Sequence, residues 1–138
     1  NISGGYEIRN PYFKGCMGEK NISRIAGGTD GWLKACCIFE GFMDYLSYLT
    51  LLKRNCFSIC IRHPTDYIIL NSVNNIKKVQ SILDEYDHIH CYLDNDNAGK
   101  VATEYIIGIQ QAKAIDESYR YNGCKDLNDY LRGKQLLK

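Results

Sequence analysis

The sequence predicts an α/β domain with a mostly parallel, four-stranded sheet flanked by helices, and with a short, irregular or β-rich N-terminal extension. Apolar runs of strand length alternate with segments whose apolar residues recur at helical spacing. The chain has 138 residues, of which 45% are hydrophobic and 24% charged, as expected for one globular domain with a core. Strand–helix alternation implies right-handed crossovers and a functional site at the carboxyl ends of the strands.

Glycine-rich, irregular sequence marks the start of the chain, and we assign residues 1–31 to an extension and residues 32–138 to the main domain. Only short strands are expected in the extension, because apolar and polar residues alternate weakly there and turn residues interrupt them. The predicted elements are strands at 6–9, 13–17 and 21–26 and a turn at 27–31.

The main domain begins with a continuous apolar run, the pattern of a strand buried on both faces of a parallel sheet. The next segment has apolar residues at helical intervals, and the two patterns then repeat along the chain. Asn71 or Ser72 is the expected cap of the second helix. In order, the prediction is strand 33–39, helix 41–54, strand 56–61, a short candidate strand 67–70, helix 72–85, strand 89–93, helix 97–110, edge strand 113–117 and a short helix at 127–131.

Charge and cysteine content narrow the possible ligands. The net charge is +1, so a nucleic-acid partner would have to bind a local basic patch. None of the seven cysteines forms a Cys-x-x-Cys pair, so the sequence does not predict a zinc site. We expect the cysteines to be small buried hydrophobic residues in a reducing cytoplasm.

Membrane attachment is not expected for this sequence. No apolar run approaches the roughly 20 residues of a membrane span, and no signal peptide is recognisable. We therefore expect a cytoplasmic protein without a membrane partner. Because the chain starts at Asn1 rather than Met, we expect it to be a domain excised from a longer protein.

Acidic side chains follow two of the predicted buried strands. Glu40 ends the first, and Gly41 after it keeps the turn open for a substrate or metal. Asp44 lies one helical turn further on. Asp94 and Asp96 follow the third buried strand, where both can reach one hard cation such as Mg²⁺. An alternative interpretation is that Glu40 and Asp44 only favour a helix N-terminus electrostatically.

Two other acidic motifs fit these residues poorly. A calcium-binding EF-hand loop starting at Asp94 would have Gly99 at its sixth position, but Ala98 and Tyr105 stand where oxygen ligands are needed. The haloacid-type phosphatase motif normally lies at the first strand of its domain and has Thr or Val soon after the aspartates, and neither condition is met. A magnesium-type site is therefore the better interpretation.

Cationic residues and glycines beside these acids are candidate phosphate or DNA contacts. Lys100 starts the helix after Asp96, and Gly99 lets the loop turn so that the helix amides suit an anion. Arg62 follows the strand predicted at 56–61, which would place it at the same edge of the sheet. Both cations could equally be solvated surface groups. A further candidate DNA contact is the aromatic and basic stretch Tyr6, Tyr12, Phe13 and Lys14.

The two acidic motifs together resemble the TOPRIM signature, in which an apolar strand precedes Glu-Gly-x-x-Asp and, roughly fifty residues later, another precedes Asp-x-Asp-x-x-Gly. The matching pieces are residues 36–44 and 91–99, and the likeness covers about residues 33–130. TOPRIM domains occur in bacterial DNA primases, type IA and type II topoisomerases, and some nucleases and recombination proteins. The resemblance implies a TOPRIM, Rossmann-like fold.

Primase-like members of the family are the most similar. Residues 40–44 match the primase version of the first motif, and residues 123–131 resemble the primase Gly-Lys-Asp-Pro-Asp segment. In that segment Lys125 and Asp126 are in place, whereas Asn128 stands where the second acid belongs. The opening, residues 5–15, resembles primase-like TOPRIM proteins of Bacteroides-type genomes and mobile elements.

The resemblance also implies a mechanism and a set of ligands. Glu40 would be the acid/base that handles the proton of a 3′-oxygen. The implied metal ligands for Mg²⁺ or Mn²⁺ are Asp94, Asp96, Asp44 and Asp126, and the metal would lower the pKa of the attacking oxygen and neutralise phosphate charge. The implied phosphate or DNA contacts are Lys100, Arg62, Lys125, Gly41 and Gly99.

The expected function is a DNA primase-like nucleotidyltransferase that makes RNA primers in DNA replication from nucleoside triphosphates on single-stranded DNA, with a replicative helicase as a further partner. Two alternatives stay open: a TOPRIM nuclease or topoisomerase-related module, and a non-catalytic metal- and DNA-binding module of a mobile element. We expect this segment alone to lack full activity, because a primase core also needs a basic subdomain.

Overall fold

The chain forms a hairpin and a larger sheet in the computed structural model, which describes residues 1–28 and 33–136. The strands are β1 (Tyr6–Arg9), β2 (Lys14–Met17), β3 (Ser23–Ile25), β4 (Ala35–Phe39), β5 (Asp66–Ile69), β6 (His88–Tyr92) and β7 (Ala114–Asp116). The α-helices are α1 (Phe42–Lys53), α2 (Gln80–Leu83), α3 (Asn97–Gln110) and α4 (Leu127–Leu131), and 3₁₀ helices span Val73–Lys78, Gln111–Lys113 and Ser118–Tyr121. Across both described segments, no helix is long and apolar enough to cross a membrane.

The larger sheet has the order β3-β5-β4-β6-β7, and all its strands are parallel except β3. The predicted α/β class with a mostly parallel sheet is therefore confirmed. The sheet has five strands among the described residues, one more than predicted, because β3 from the N-terminal extension pairs with β5. The boundary between residues 31 and 32 stays a prediction. Residues 29–31 of the predicted turn lie outside the described residues.

Strand β4 lies at the centre of the sheet, and all five of its residues are buried. Cys36 and Ile38 face one core layer, which is covered by α2, α3 and the 3₁₀ helix Val73–Lys78. Cys37 and Phe39 face the other layer, which is covered by α1 and α4. A strand buried on both faces consists of a continuous run of apolar residues, and this run allowed β4 to be predicted from the sequence.

The apolar segment at residues 56–61 is not a strand. The strand that pairs with β4 on this side of the sheet is β5. The prediction was wrong because the backbone of this segment finds partners outside a sheet. Ile61 N–H donates to the Tyr48 hydroxyl (2.9 Å), and the Tyr92 hydroxyl donates to the Ile59 carbonyl (2.6 Å). The hydroxyls of two buried tyrosines therefore provide hydrogen-bond partners of the kind that a neighbouring strand would provide to this backbone.

The remaining sequence predictions agree well with the elements observed. Ser72 caps the following helical segment, as expected, by accepting a hydrogen bond from Asn74 N–H. That segment is a 3₁₀ helix followed by the short α2 rather than one continuous helix. All seven cysteines are free; five are buried, and Cys16 and Cys56 are half-buried. Burial raises the pKa of the Cys37 thiol to about 12, consistent with an unreactive core residue.

A buried ionic cluster closes the carboxyl end of β7. His90 Nδ1 lies 2.8 Å from Glu117 Oε1, and Arg120 Nε donates to Glu117 Oε2 at 2.6 Å. Burial alone would raise the pKa of Glu117, but its hydrogen bonds with His90 and Arg120 outweigh that effect and lower it. The ionised carboxylate therefore stabilises the fold above its unfolded-state pKa, and this contribution is lost as the pH falls through the lower folded-state value.

We predict that Glu117→Gln lowers the free energy of unfolding by about 2 kcal/mol at pH 7, because it removes charge-assisted hydrogen bonds to a buried carboxylate. The difference from wild type should shrink as the pH is lowered below about 4. Urea unfolding measures both effects, and Glu104→Gln, a change at an exposed site on α3, is the matched control. Equal stability of both variants at pH 7 would contradict the role of this cluster.

Candidate metal centre

The fold opens a crevice between the carboxyl ends of β4 and β6. These strands are parallel neighbours, but α1 after β4 packs on one face of the sheet and α3 after β6 packs on the other. Loops that leave adjacent strands in opposite directions create a cleft at this switch point, where α/β proteins bind ligands. Glu40 directly follows β4, and Asp94 follows β6 by two residues.

Five predicted acidic residues come together in this crevice. Glu40, Asp94 and Asp96 form one group, and Asp44, Asp94 and Asp126 form a second; in each group the carboxylate oxygens lie within 4.8 Å of one another. Asp94 belongs to both groups. Four of them, Glu40, Asp44, Asp94 and Asp126, line a cleft with a volume of about 170 Å³. The structure thus places every predicted metal ligand in two adjoining groups that share one aspartate.

Two of these carboxylates also cap helices. Asp96 Oδ1 accepts a hydrogen bond from Gly99 N–H (2.9 Å) at the start of α3. Asp126 Oδ1 accepts one from Asp129 N–H (2.7 Å) at the start of α4. A carboxylate has two oxygens, so the cap fixes each side chain and still leaves acceptor capacity for a cation.

Asn128 connects the second group to the helix that carries Asp44. Its backbone N–H donates to Asp44 Oδ1 (3.2 Å), and its side-chain amide donates to Ser47 Oγ (3.0 Å). The residue that stands where the primase segment has its second acid therefore joins α4 to α1. The group of Asp44, Asp94 and Asp126 forms without a carboxylate at position 128.

The carboxylates of the cleft repel one another and are partly shielded from water. Burial, together with the charges of Asp94 and Asp96, raises the pKa of Glu40 to about 7. Burial and the charge of Asp126 raise the pKa of Asp44 to about 7 and that of Asp94 to about 6. In the folded chain without a cation, the ionised forms of these three carboxyl groups are therefore less stable than they would be in water.

Cations line the same cleft. Lys125 Nζ lies 3.6 Å from Asp94 Oδ2, and the surrounding aspartates raise the pKa of Lys125 although its partial burial opposes this. Arg9 and Lys14, which are register partners in the β1–β2 hairpin, also line the cleft. Our sequence interpretation noted Lys14 but missed Arg9, which only the hairpin pairing places beside it.

Two of the cations predicted to contact phosphate lie outside the lining of the acidic cleft, as does Gly99. Arg62 precedes β5 instead of following a strand, and its guanidinium carbon lies 4.4 Å from the centre of the Phe57 ring. Its expected place at the carboxyl edge depended on the incorrect strand at 56–61. Lys100 is exposed on the first turn of α3. Lys125 and Lys14 are the predicted cations that do line the cleft.

The aromatic residues of the extension are displayed to solvent. Tyr12 is 97% exposed and Phe13 is 56% exposed at the tip of the β1–β2 hairpin, and Tyr6 is 73% exposed at its base. Lys14 differs from them because it lines the cleft beside Glu40. The predicted DNA contact of these aromatic residues stays a prediction.

Asn95 is a positioning residue that the sequence did not reveal. Its side-chain amide approaches the carbonyls of Ser118, Tyr121 and Cys124 at 3.0–3.4 Å, and its backbone N–H donates to the Lys125 carbonyl at 2.6 Å. These hydrogen bonds fix the loop after β6 to the segment that carries Asp126. The residues involved are more than twenty positions apart, so no local pattern signals the contact.

The two glycines of the motifs have different structural roles. A Cβ on Gly99 would clash with the backbone of Asp94, so glycine lets α3 approach the end of β6. Its N–H is used by the Asp96 cap. A Cβ on Gly41 would meet only Asp44 Oδ2 at 3.6 Å, an ordinary contact, and its φ of −131° suits any residue. The fold therefore does not require glycine at position 41.

We predict that Gly99→Ala lowers the melting temperature by 10 °C or more, roughly the effect of 2 kcal/mol or more in a domain of this size. Gly41→Ala should melt within about 2 °C of wild type, because the added methyl has room. Thermal unfolding followed by circular dichroism compares the two variants directly. Similar melting of both would contradict the packing role of Gly99.

The raised pKa values of Glu40, Asp44 and Asp94 give a second prediction. These groups bind protons more tightly in the folded chain than in the unfolded chain, so without divalent cations stability should rise as the pH falls from 8 towards 6. With a chelator present, Asp94→Asn should raise the melting temperature at pH 8, because it removes the charge common to both groups. Differential scanning calorimetry with Glu104→Gln as control measures this, and a lower melting temperature for Asp94→Asn would contradict it.

Two solved structures related to bacteriophage T7 primase resemble the chain. One is described as the crystal structure of the primase fragment of the T7 primase-helicase protein: TM-score 0.62, 20% identity, covering 94% of this chain and 53% of that one. The other contains T7 lagging-strand DNA polymerase interacting with primase domains of two gp4 subunits bound to an RNA/DNA hybrid and dTTP: TM-score 0.51, 25% identity, covering 72% and 48%. The chain spans about half the length of these structures.

Comparison at the level of sequence families gives a direct assignment. No curated protein matches the sequence significantly. A family model described as Toprim-like matches residues 37–131, which include both acidic motifs and the segment that carries Lys125 and Asp126. The match covers most of the chain and agrees with the expected resemblance and with the observed sheet. The chain belongs to the Toprim-like family.

Proposed function

We propose that this chain is the catalytic domain of a primase-like nucleotidyltransferase, which uses Mg²⁺ or Mn²⁺ to join nucleotides into RNA primers. The observation that carries the proposal is the pair of carboxylate groups sharing Asp94 at the switch-point crevice. The likeness to a structure that contains primase domains bound to an RNA/DNA hybrid and dTTP supports the choice of nucleotidyl transfer over other phosphate chemistry.

The donor set suits a hard divalent cation. All the candidate ligand atoms are carboxylate oxygens, which Mg²⁺ and Mn²⁺ prefer, and neither group includes cysteine or histidine. Glu40 Oε2 is buried and has no hydrogen-bond partner among the described residues. A buried carboxylate oxygen without a partner is costly, and a cation held by Glu40, Asp94 and Asp96 would satisfy it. Asp44 and Asp126, with Asp94, would hold a second ion.

The residues of the cleft have distinct roles in this proposal. A bound metal ion would lower the pKa of the attacking 3′-hydroxyl and neutralise phosphate charge. Glu40 would offer one carboxylate oxygen to the group with Asp94 and Asp96, and its other oxygen can accept the proton of that hydroxyl. Lys125, Arg9 and Lys14 line the cleft and can bind phosphate oxygens before and after transfer. Asn95 and Asn128 hold the loops that carry the acids.

The full activity involves more than this chain supplies. Single-stranded DNA and nucleoside triphosphates are the proposed substrates, a replicative helicase is a proposed partner, and the cytoplasm is the proposed location. The chain spans about half the length of the structures it resembles, and a further basic subdomain is proposed to complete the template-binding surface. The finer likeness to Bacteroides-type proteins also stays a prediction.

We predict that Mn²⁺ titration raises the stability of the chain at pH 7.5 by about 2–3 kcal/mol at a hundredfold excess over the dissociation constant. Asp94→Asn should abolish this gain, because both carboxylate groups contain Asp94. Asp96→Asn should weaken binding at the first group while leaving the second. Isothermal titration calorimetry with Mn²⁺ and Mg²⁺, with Glu104→Gln as control, measures these differences.

The result that overturns the site is equal metal binding by wild type and Asp94→Asn/Asp96→Asn. The nucleotidyltransferase assignment is tested separately by a primer-synthesis assay on the intact protein with single-stranded DNA. Glu40→Gln and Asp94→Asn should each lower primer yield at least a hundredfold, in the range expected when a general acid/base or a metal ligand is removed. Metal-dependent strand cleavage without synthesis would favour the nuclease or topoisomerase alternative, and metal and DNA binding without either reaction would favour a non-catalytic module.

A further inference from the structure

The three histidines of the chain lie at the start of β6 and in the loop before β5. His88 and His90 are the first and third residues of β6, so strand alternation places both side chains on one face of the sheet. His63 lies three residues before β5, and its ring centre is 5.8 Å from that of His90. Because β5 and β6 both run parallel to β4, the loop before β5 and the start of β6 lie at the edge of the sheet opposite the acidic cleft.

Glu117 fixes the proton of His90 on one ring nitrogen. Its Oε1 lies 2.8 Å from His90 Nδ1, and its Oε2 accepts a hydrogen bond from Arg120. The hydrogen bonds from His90 and Arg120 lower the pKa of Glu117 despite its burial, so the carboxylate is ionised at neutral pH and can only accept. A neutral His90 therefore carries its proton on Nδ1 and has a free lone pair on Nε2. A carboxylate that orients an imidazole in this way is typical of histidine ligands to metals.

The spacing of the His63 and His90 rings is close to that of two imidazoles bound to one ion. For a metal–nitrogen bond of about 2.0–2.1 Å, each ring centre lies about 3.2 Å from the metal, and two rings at a tetrahedral angle have centres about 5.2 Å apart. The observed separation of 5.8 Å is only slightly longer. Across the described parts of the chain, His90 Nε2 has no hydrogen-bond partner, so no other group competes for its lone pair.

The other two imidazoles have freedom to move, whereas His90 is held in place. His63 is exposed, and its Nδ1 lies 3.4 Å from the carbonyl oxygen of the adjacent Pro64, a long and weak contact. His88 is half-buried at the first position of β6. Among the described residues, the donor nitrogens of the three histidines do not all lie within 4.8 Å of one another. Rotation of the His63 and His88 side chains towards His90 is therefore the step that completes the ligand set.

We propose that His63, His88 and His90 bind Zn²⁺ at a second metal site, separate from the acidic cleft and independent of the proposed function. Three imidazoles suit this borderline transition ion, whereas Mg²⁺ prefers the oxygen ligands of the acidic cleft. Glu117 is a positioning residue, because it orients His90 without touching the ion. The bound ion links the loop before β5 to β6, and its fourth position is open to water.

Calorimetric titration with Zn²⁺ tests the site on the chain without an affinity tag, with excess Mg²⁺ present and in the Asp94→Asn background, so that the acidic cleft does not contribute. One Zn²⁺ should bind per chain. His63→Ala and His88→Ala should each lower the affinity about tenfold or more, because each removes a ligand, and Glu117→Gln should lower it by about 10- to 100-fold. Asn122→Ala, at an exposed position outside the histidine cluster, is the matched control and should bind Zn²⁺ like its parent.

Nitrogen NMR of the histidine side chains identifies the ligand atoms directly, since the chain has only three imidazoles. Zn²⁺ should shift the Nε2 resonance of His90 and one ring nitrogen each of His63 and His88. A purely structural contact between the His63 and His90 rings would leave these resonances unchanged. Circular dichroism establishes that each variant is folded, and the substitutions at the exposed His63 and half-buried His88 leave the core intact.

Three results would overturn the inference: no Zn²⁺ binding in the Asp94→Asn background, unchanged affinity in either histidine variant, or imidazole resonances that do not respond to Zn²⁺. Unchanged affinity in Glu117→Gln would overturn the positioning role of that residue. The two metal sites are distinguished by Mn²⁺, whose binding to the acidic cleft should be the same in wild type, His63→Ala and His88→Ala. Loss of Mn²⁺ binding in wild type would count against the proposed function and not against the histidine site.

Discussion

Mutual repulsion among the carboxylates around Asp94 is the constraint on which the rest of the structure depends. Asp94 has partners on both sides, Glu40 and Asp96 in one group and Asp44 and Asp126 in the other. Burial, together with that repulsion, raises the pKa values of Glu40, Asp44 and Asp94. A chain that keeps such charges together must gain stability elsewhere, and here the fully buried central strand β4 and its neighbours supply it.

The fold holds the carboxylates by giving them structural hydrogen bonds as well. Asp96 and Asp126 cap the helices that follow them, and Asp44 accepts a hydrogen bond from the backbone of α4. The side chains are therefore oriented before any cation arrives, which is what a preorganised metal site requires. Among the described residues, the buried Glu40 Oε2 has no hydrogen-bond partner, and Glu40 is one of the residues that line the acidic cleft.

Strand ends were the most predictable part of the site. Glu40, Asp94 and Asp96 could be assigned from sequence because they directly follow apolar runs, and parallel strands bring their carboxyl ends to one edge. Arg62 was placed incorrectly for the same reason: an apolar run at 56–61 resembled a strand. In the folded chain, hydroxyls of Tyr48 and Tyr92 bind the backbone of that segment. Such long-range partners leave no periodic signal.

The sequence by itself determined the α/β class, the central buried strands and the acidic motifs, because burial on both faces and helical spacing are local properties of the chain. Only the tertiary structure decided that Asp126 joins Asp44 and Asp94, and that Arg9 and Lys14 reach the same cleft. Asp44 and Asn128 are 84 residues apart, and their contact depends on how α1 and α4 pack on one face of the sheet. Contacts between such distant segments are set by packing, which no short pattern records.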